Sequence, residues 1–144
     1  MAFSCGYLRK ISVDVPSQSA QTTDKKISIA KEQFQAVLDV FDNWITNYRF
    51  AKRECPGYNR IGLENRHPEF CSEYRVYYQT HGLFTATSDF YIYVFYDEKI
   101  GKPIIQFFEY SGSVQSKKSE QMEKELSGLL MERFGKGAIQ VVIK

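Results

Sequence analysis

The chain has little of what metal and nucleophile chemistry needs. It holds two histidines, His67 and His81, and three cysteines, Cys5, Cys55 and Cys71. Neither the close C-x₂-C pair nor the H-x₃-H pair that preorganises zinc occurs, so Cys55, His67, Cys71 and His81 make a poor ligand set. No GxGxxG or GxxxxGK[ST] loop is present to cradle phosphates, and no cofactor is expected. Nineteen basic against seventeen acidic side chains leave a net charge of +2, too weak a field to draw in nucleic acid or an anionic membrane. The basic and glycine positions of an RNA-binding sheet motif are missing as well. No stretch approaches the roughly 20 apolar residues of a membrane-spanning helix.

What the 144 residues have in quantity is aromatic side chains, with eleven Phe, ten Tyr and one Trp. They concentrate between Phe90 and Tyr110. Phe90 to Tyr96 is wholly aromatic or β-branched, Asp97 to Pro103 contains turn formers, and Ile104 to Tyr110 resumes the strand pattern, which together predict a β-hairpin. Alternation puts Phe90, Ile92, Val94 and Tyr96 on one face and Tyr91, Tyr93 and Phe95 on the other, so neither is a water face. Asp97 and Glu98 fall at the tip, where turn geometry accounts for them better than acid–base work does.

Around this hairpin the chain reads as one domain over 27–144, preceded by a segment, 1–26, in which Tyr7 to Val15 alternates like a strand and Pro16 to Asp24 is polar linker. Phe34, Val37, Leu38, Phe41, Trp44, Ile45 and Tyr48 recur every three or four residues and predict an amphipathic helix from about Ala30 to Arg53, stopped by Pro56-Gly57. A long connection, 54–72, follows. Glu73 to Thr80 is strand-like, with a reversal either at His81-Gly82 or, past a bulge, at Ser88-Asp89. Beyond the hairpin, Ser116 or Ser119 caps a second helix with an apolar stripe of Met122, Leu126, Leu129, Leu130 and Phe134, ended by Gly135. Ala138 to Ile143 is a final, nearly all-apolar strand. The order β-α-β-β-β-α-β predicts an α+β two-layer sandwich, a mainly antiparallel sheet with two helices on one face and the final strand placed beside the first.

The cysteines admit two readings. Cys55 and Cys71 flank the Pro- and Gly-containing connection, and a disulfide there would contribute about 3 kcal/mol by restricting the unfolded chain. Alternatively, all three are reduced thiols of a cytosolic protein. The start, Ser4-Cys5-Gly6, resembles the processing site of bacterial lipoproteins, in which the cysteine becomes the lipidated first residue. The chain departs from that pattern in having Ala2 where Leu is usual and in lacking an apolar signal region. The resemblance implies a periplasmic, membrane-anchored protein held by a lipid on Cys5, and it accounts for the odd cysteine.

Function follows from surfaces. If both helices seal one face of the sheet, Tyr91, Tyr93, Phe95 and Phe107 are left on the other for the N-terminal segment, a second copy or another protein. Arg60 and Arg66 of the connection, with Arg53, offer a further contact patch unless Glu54, Glu64 and Glu69 merely balance them in solvent. The expectation is a non-enzymatic binding or assembly module of the bacterial envelope, such as a secretion-complex accessory or an immunity protein. Membrane association would come through the lipid alone, and the partner would be a protein. A cytosolic interaction domain with free thiols, and a small enzyme using Cys71 or His81, are the alternatives.

Overall fold

The computed structural model describes residues 6–16, 26–57, 61–80, 85–110 and 115–142. Its centre is the expected hairpin, β4 (Ala86–Asp97) and β5 (Lys102–Glu109). The turn is made by Asp97, whose Oδ1 accepts the backbone N–H groups of Lys99 and Ile100 at 2.9 and 2.8 Å. Gly101 closes it at φ 77°, a conformation in which a side chain would be strained. With Asp97 opposite Lys102, the register sets Tyr93 against Gln106 and Ile92 against Phe107.

The other strands extend this pair on both sides. The sheet has six strands in the order β2-β3-β4-β5-β1-β6, and all neighbours are antiparallel. β3 (Arg66–Thr80) flanks β4, and β1 (Tyr7–Val13) flanks β5. β6 (Ile139–Val142) lies beside β1, as its apolar sequence and the split arrangement suggested. α1 (Lys26–Ile45) and α2 (Lys117–Phe134) both pack on one face.

Two boundaries differ from the sequence reading. The first helix ends at Ile45 and not near Arg53, because Thr46 and Asn47 turn their side chains back onto the carbonyls of Asn43 and Trp44 at 2.8 and 3.0 Å. Arg49–Glu54 becomes an additional strand, β2, which inserts Phe50 opposite Val76. The element order is therefore β-α-β-β-β-β-α-β. β3 also starts at Arg66, with a register shift between Arg66 and Cys71, so the connection is much shorter than 54–72. The reversal after β3 falls between Thr80 and Ala86, which pair with each other; His81 and Gly82 lie outside the described residues.

The α1 stripe is buried from Phe34 to Ile45 as its period required, against Tyr74, Ile92, Val94 and Phe107 of the sheet. α2 is capped by Ser116, whose hydroxyl accepts the Ser119 N–H at 3.1 Å, and buries Met122, Leu126 and Leu130. Leu129, expected on the same stripe, is 39% exposed. Glu125 of α2 ties the helices together, accepting from Trp44 Nε1 at 3.1 Å and from the Tyr48 hydroxyl.

The Tyr48–Glu125 contact needs a neutral phenol and an ionised carboxylate. Burial, then the hydrogen bond that Tyr48 donates to Glu125 and the charge of that carboxylate, push Tyr48 up to about 12. The same bond is the main cause holding Glu125 below its ordinary value. The raised phenol contributes stability that is present below its unfolded pKa of about 10 and lost as pH rises towards 12; the lowered carboxylate contributes stability lost as pH falls below the usual Glu range. Tyr48→Phe is expected to remove the step near 12 from a phenolate absorbance titration and to flatten the alkaline loss of stability. A titration in which the variant keeps that step would assign it to another tyrosine.

Candidate protein-contact surface

The face of the sheet away from the helices carries Cys71, Glu73, Arg75 and Tyr77 of β3, Tyr91, Tyr93 and Phe95 of β4, and Ile104, Gln106 and Phe108 of β5. Half of it is covered. Leu63, from the connection between β2 and β3, packs with Tyr93, Phe95 and Ile104 in a second core, and all four are at most 1% exposed. This corrects the expectation of an open aromatic set. Tyr93 and Phe95 are core, and Phe107 is not on this face at all, since its position opposite Ile92 places it under the helices.

So short a connection stays on the sheet because it is fastened at several points. Cys55 and Cys71 are joined by a disulfide with their α-carbons 5.8 Å apart, within the range the bond requires. Arg66 donates to the carbonyls of Pro56 and Leu63 at 2.6 and 3.3 Å, so it braces the connection from within instead of offering a contact patch. Arg60 lies outside the described residues, as does Cys5. Gln106 Nε2 donates to the Ile61 carbonyl at 3.2 Å. Gly62, at φ 88°, sits so tightly on that side chain that an added Cβ would come within 2.4 Å of Gln106 Oε1, an oxygen that is buried without a hydrogen-bond partner among the described residues.

Glu73 marks the limit of the covered half. It is 1% exposed, yet both oxygens are satisfied: Oε1 accepts from Arg53 Nε and Nη2 at 3.1 and 2.9 Å, and Oε2 from the Tyr93 hydroxyl at 2.8 Å. Beyond it the face is open, and cations alternate with rings across three strands. The Arg49 guanidinium stands 5.4 Å from the Tyr77 ring centroid; that of Arg75 lies 5.2 Å from Tyr77 and 5.7 Å from Tyr91. Arg75 is held in place by its ion pair with Asp89. The row continues through Tyr91, edge-on to Tyr110 at 5.5 Å, and Phe108, edge-on to Tyr110 at 4.7 Å. Burial pushes the Tyr91 phenol upward against the opposing pull of Arg75. Tyr110 is half exposed.

Of the described residues expected to meet a partner, only Tyr91 belongs to this row. Arg75 and Tyr77 alternate visibly within Glu73 to Thr80, a signal that could have found them. Arg49 was hidden inside the supposed helix. The Cys71 sulfur is in the disulfide, His67 is buried and stacked on Phe70 at 4.3 Å, and His81 is outside the described residues. Among the described residues, no group of three or more His, Cys, Asp or Glu is placed to hold a metal.

The covered and open halves respond differently to substitution. Tyr93→Phe leaves a buried carboxylate oxygen without its donor and is expected to cost about 1–3 kcal/mol in urea denaturation, whereas Tyr91→Phe should leave the midpoint unchanged. Replacing both Cys55 and Cys71 by Ser should lower stability by about 3 kcal/mol for a loop of this size. Equal effects of the two tyrosine changes would mean that the face is not divided as described. Comparison with protein-family models, with curated proteins and with solved structures found no match for the chain.

Proposed function

We propose that the chain is a non-enzymatic binding module of an oxidising, extracytoplasmic compartment, and that it meets a protein partner through the open half of the sheet. The observation that carries this reading is the row Arg49, Tyr77, Arg75, Tyr91 and Tyr110, a strip that no described segment covers, made of two of the residue types enriched where binding energy concentrates. The ion pair of Arg75 with Asp89 and the flanking rings fix the strip's geometry before a partner arrives. A rigid aromatic–guanidinium surface loses less side-chain entropy on association than one made of flexible lysines.

The compartment rests on the Cys55–Cys71 bridge, since structural disulfides persist where thiols are not kept reduced. No helix among the described residues is long and apolar enough to cross a membrane. Attachment through a lipid on Cys5, as in bacterial envelope lipoproteins, fits both facts and gives the third cysteine a use. Labelling cells with a palmitate analogue tests that element by itself: label should appear on the wild-type chain and vanish in Cys5→Ser.

The contact surface is tested by placing a photo-crosslinking amino acid at Tyr110 and, as a control on the helix side, at Leu129. The expected result is a discrete crosslinked protein from position 110, lost when Tyr77 and Tyr91 are both changed to Ala, and none from position 129. A crosslink to the chain itself would identify the partner as a second copy. Equal crosslinking from both positions, or persistence in the double variant, would contradict the assignment of the surface.

A further inference from the structure

On the opposite, helix-bearing side of the sheet, a cleft of about 420 Å³ opens between the first turns of α1, the start of β3 and the β4–β5 turn. Its wall is apolar, from Ile27 and Ile29, and three polar groups converge on it: His67, Tyr96 and Glu98. This is the common build of a small-molecule site, mostly hydrophobic with a few placed polar atoms. The volume falls within the usual range for such sites.

The His67 ring is held in place, and the donors and acceptors that converge here can be assigned. The His67 ring is stacked on Phe70, and its Nδ1 accepts the Glu69 N–H at 3.0 Å, so the neutral ring carries its proton on Nε2. That Nε2–H faces Glu98 Oε2 at 3.8 Å, beyond hydrogen-bond reach. Glu98 is anchored through its backbone, which donates to the Asn65 carbonyl at 2.8 Å. The Tyr96 hydroxyl has no hydrogen-bond partner among the described residues and lies beside Gly101, where an added Cβ would stand 3.9 Å from it, in van der Waals contact. Burial and the neighbouring Asp97 and Glu98 charges raise the Tyr96 pKa, so the group stays a neutral hydroxyl.

A ligand group seated here must accept from His67 Nε2–H and donate to the Glu98 carboxylate at the same time. A hydroxyl does both. An ammonium has no lone pair for the imidazole N–H, and a carboxylate is repelled by Glu98. We propose that the cleft binds a small uncharged molecule whose hydroxyl bridges His67 and Glu98, within reach of Tyr96, while its apolar body lies on Ile27 and Ile29. The site is independent of the aromatic strip and stands or falls separately from it.

The test is titration of the isotopically labelled full chain with 1-hexanol, hexylamine and hexanoate, followed by amide NMR. Hexanol should give saturable shifts centred on Ile27, Ala30, Glu98 and Gly101, with both charged isosteres about tenfold weaker, the difference expected for one or two satisfied hydrogen bonds. Tyr96→Phe and Glu98→Ala should each weaken hexanol binding several-fold without moving the urea midpoint. Absence of saturable shifts, equal binding of the charged isosteres, or full affinity in both variants would overturn the proposal. In the first of those cases ordered water is all that the polar groups hold.

Discussion

β4 is apolar on both sides, and a strand of that kind has to be covered twice. From Phe90 to Phe95 every side chain but Tyr91 is buried, with Phe90, Ile92 and Val94 facing the helices and Tyr93 and Phe95 facing away. Two amphipathic helices supply the first cover, and since each has a single apolar stripe, neither can supply the second. The second cover is the connection between β2 and β3. A segment of this length buries too little apolar surface to stay down unaided, which accounts for its disulfide, its Arg66 braces, the Gln106 bond and the glycine at position 62. Each fastening removes freedom the loop would otherwise regain by lifting.

The same shortness leaves the remainder of that face open. Leu63 reaches Tyr93, Phe95 and Ile104, and past the Glu73 carboxylate the covering stops. There the sheet changes from a dry aliphatic–aromatic core to rings stacked with guanidinium groups, in which Arg49, Arg53 and Arg75 each have a ring or a carboxylate against them. The second core and the proposed contact strip thus share one sheet face, with the Arg53–Glu73–Tyr93 chain of hydrogen bonds at the join. Glu73 serves both halves: it satisfies the hydroxyl of a core tyrosine and orients an exposed arginine.

The parts of this arrangement that a reader of the sequence can see are those written in contiguous periods. The α1 stripe, the hairpin strands, the Ser116 cap and the terminal strand beside the first all follow from spacing within a few residues. The disulfide is legible from two cysteines around a Pro- and Gly-containing connection. β2 is not, because Arg49–Glu54 has one buried-side aromatic, Phe50, and only its pairing with the distant Val76 makes it a strand. The face of Phe107 depends on the closing pair of the turn. A pairing of β4 with β5 shifted by one residue would have put Phe107 opposite Tyr91 or Tyr93 and on their face, as the sequence reading supposed. The seat of Gly62 on Gln106 joins positions far apart in the chain, and no local pattern announces it.

The division of the sheet face is open to direct observation by hydroxyl-radical footprinting with mass spectrometry, run on the oxidised protein and again after reduction of the Cys55–Cys71 bond. The oxidised chain should be modified at Tyr77, Tyr91 and Tyr110 and protected at Tyr93 and Phe95, with protection of the latter pair falling once the disulfide is opened. Modification of Tyr93 at the rate of Tyr110 in the oxidised protein would contradict the account at its centre, because the loop would then not be the second cover on which the fold and the proposed contact surface both depend.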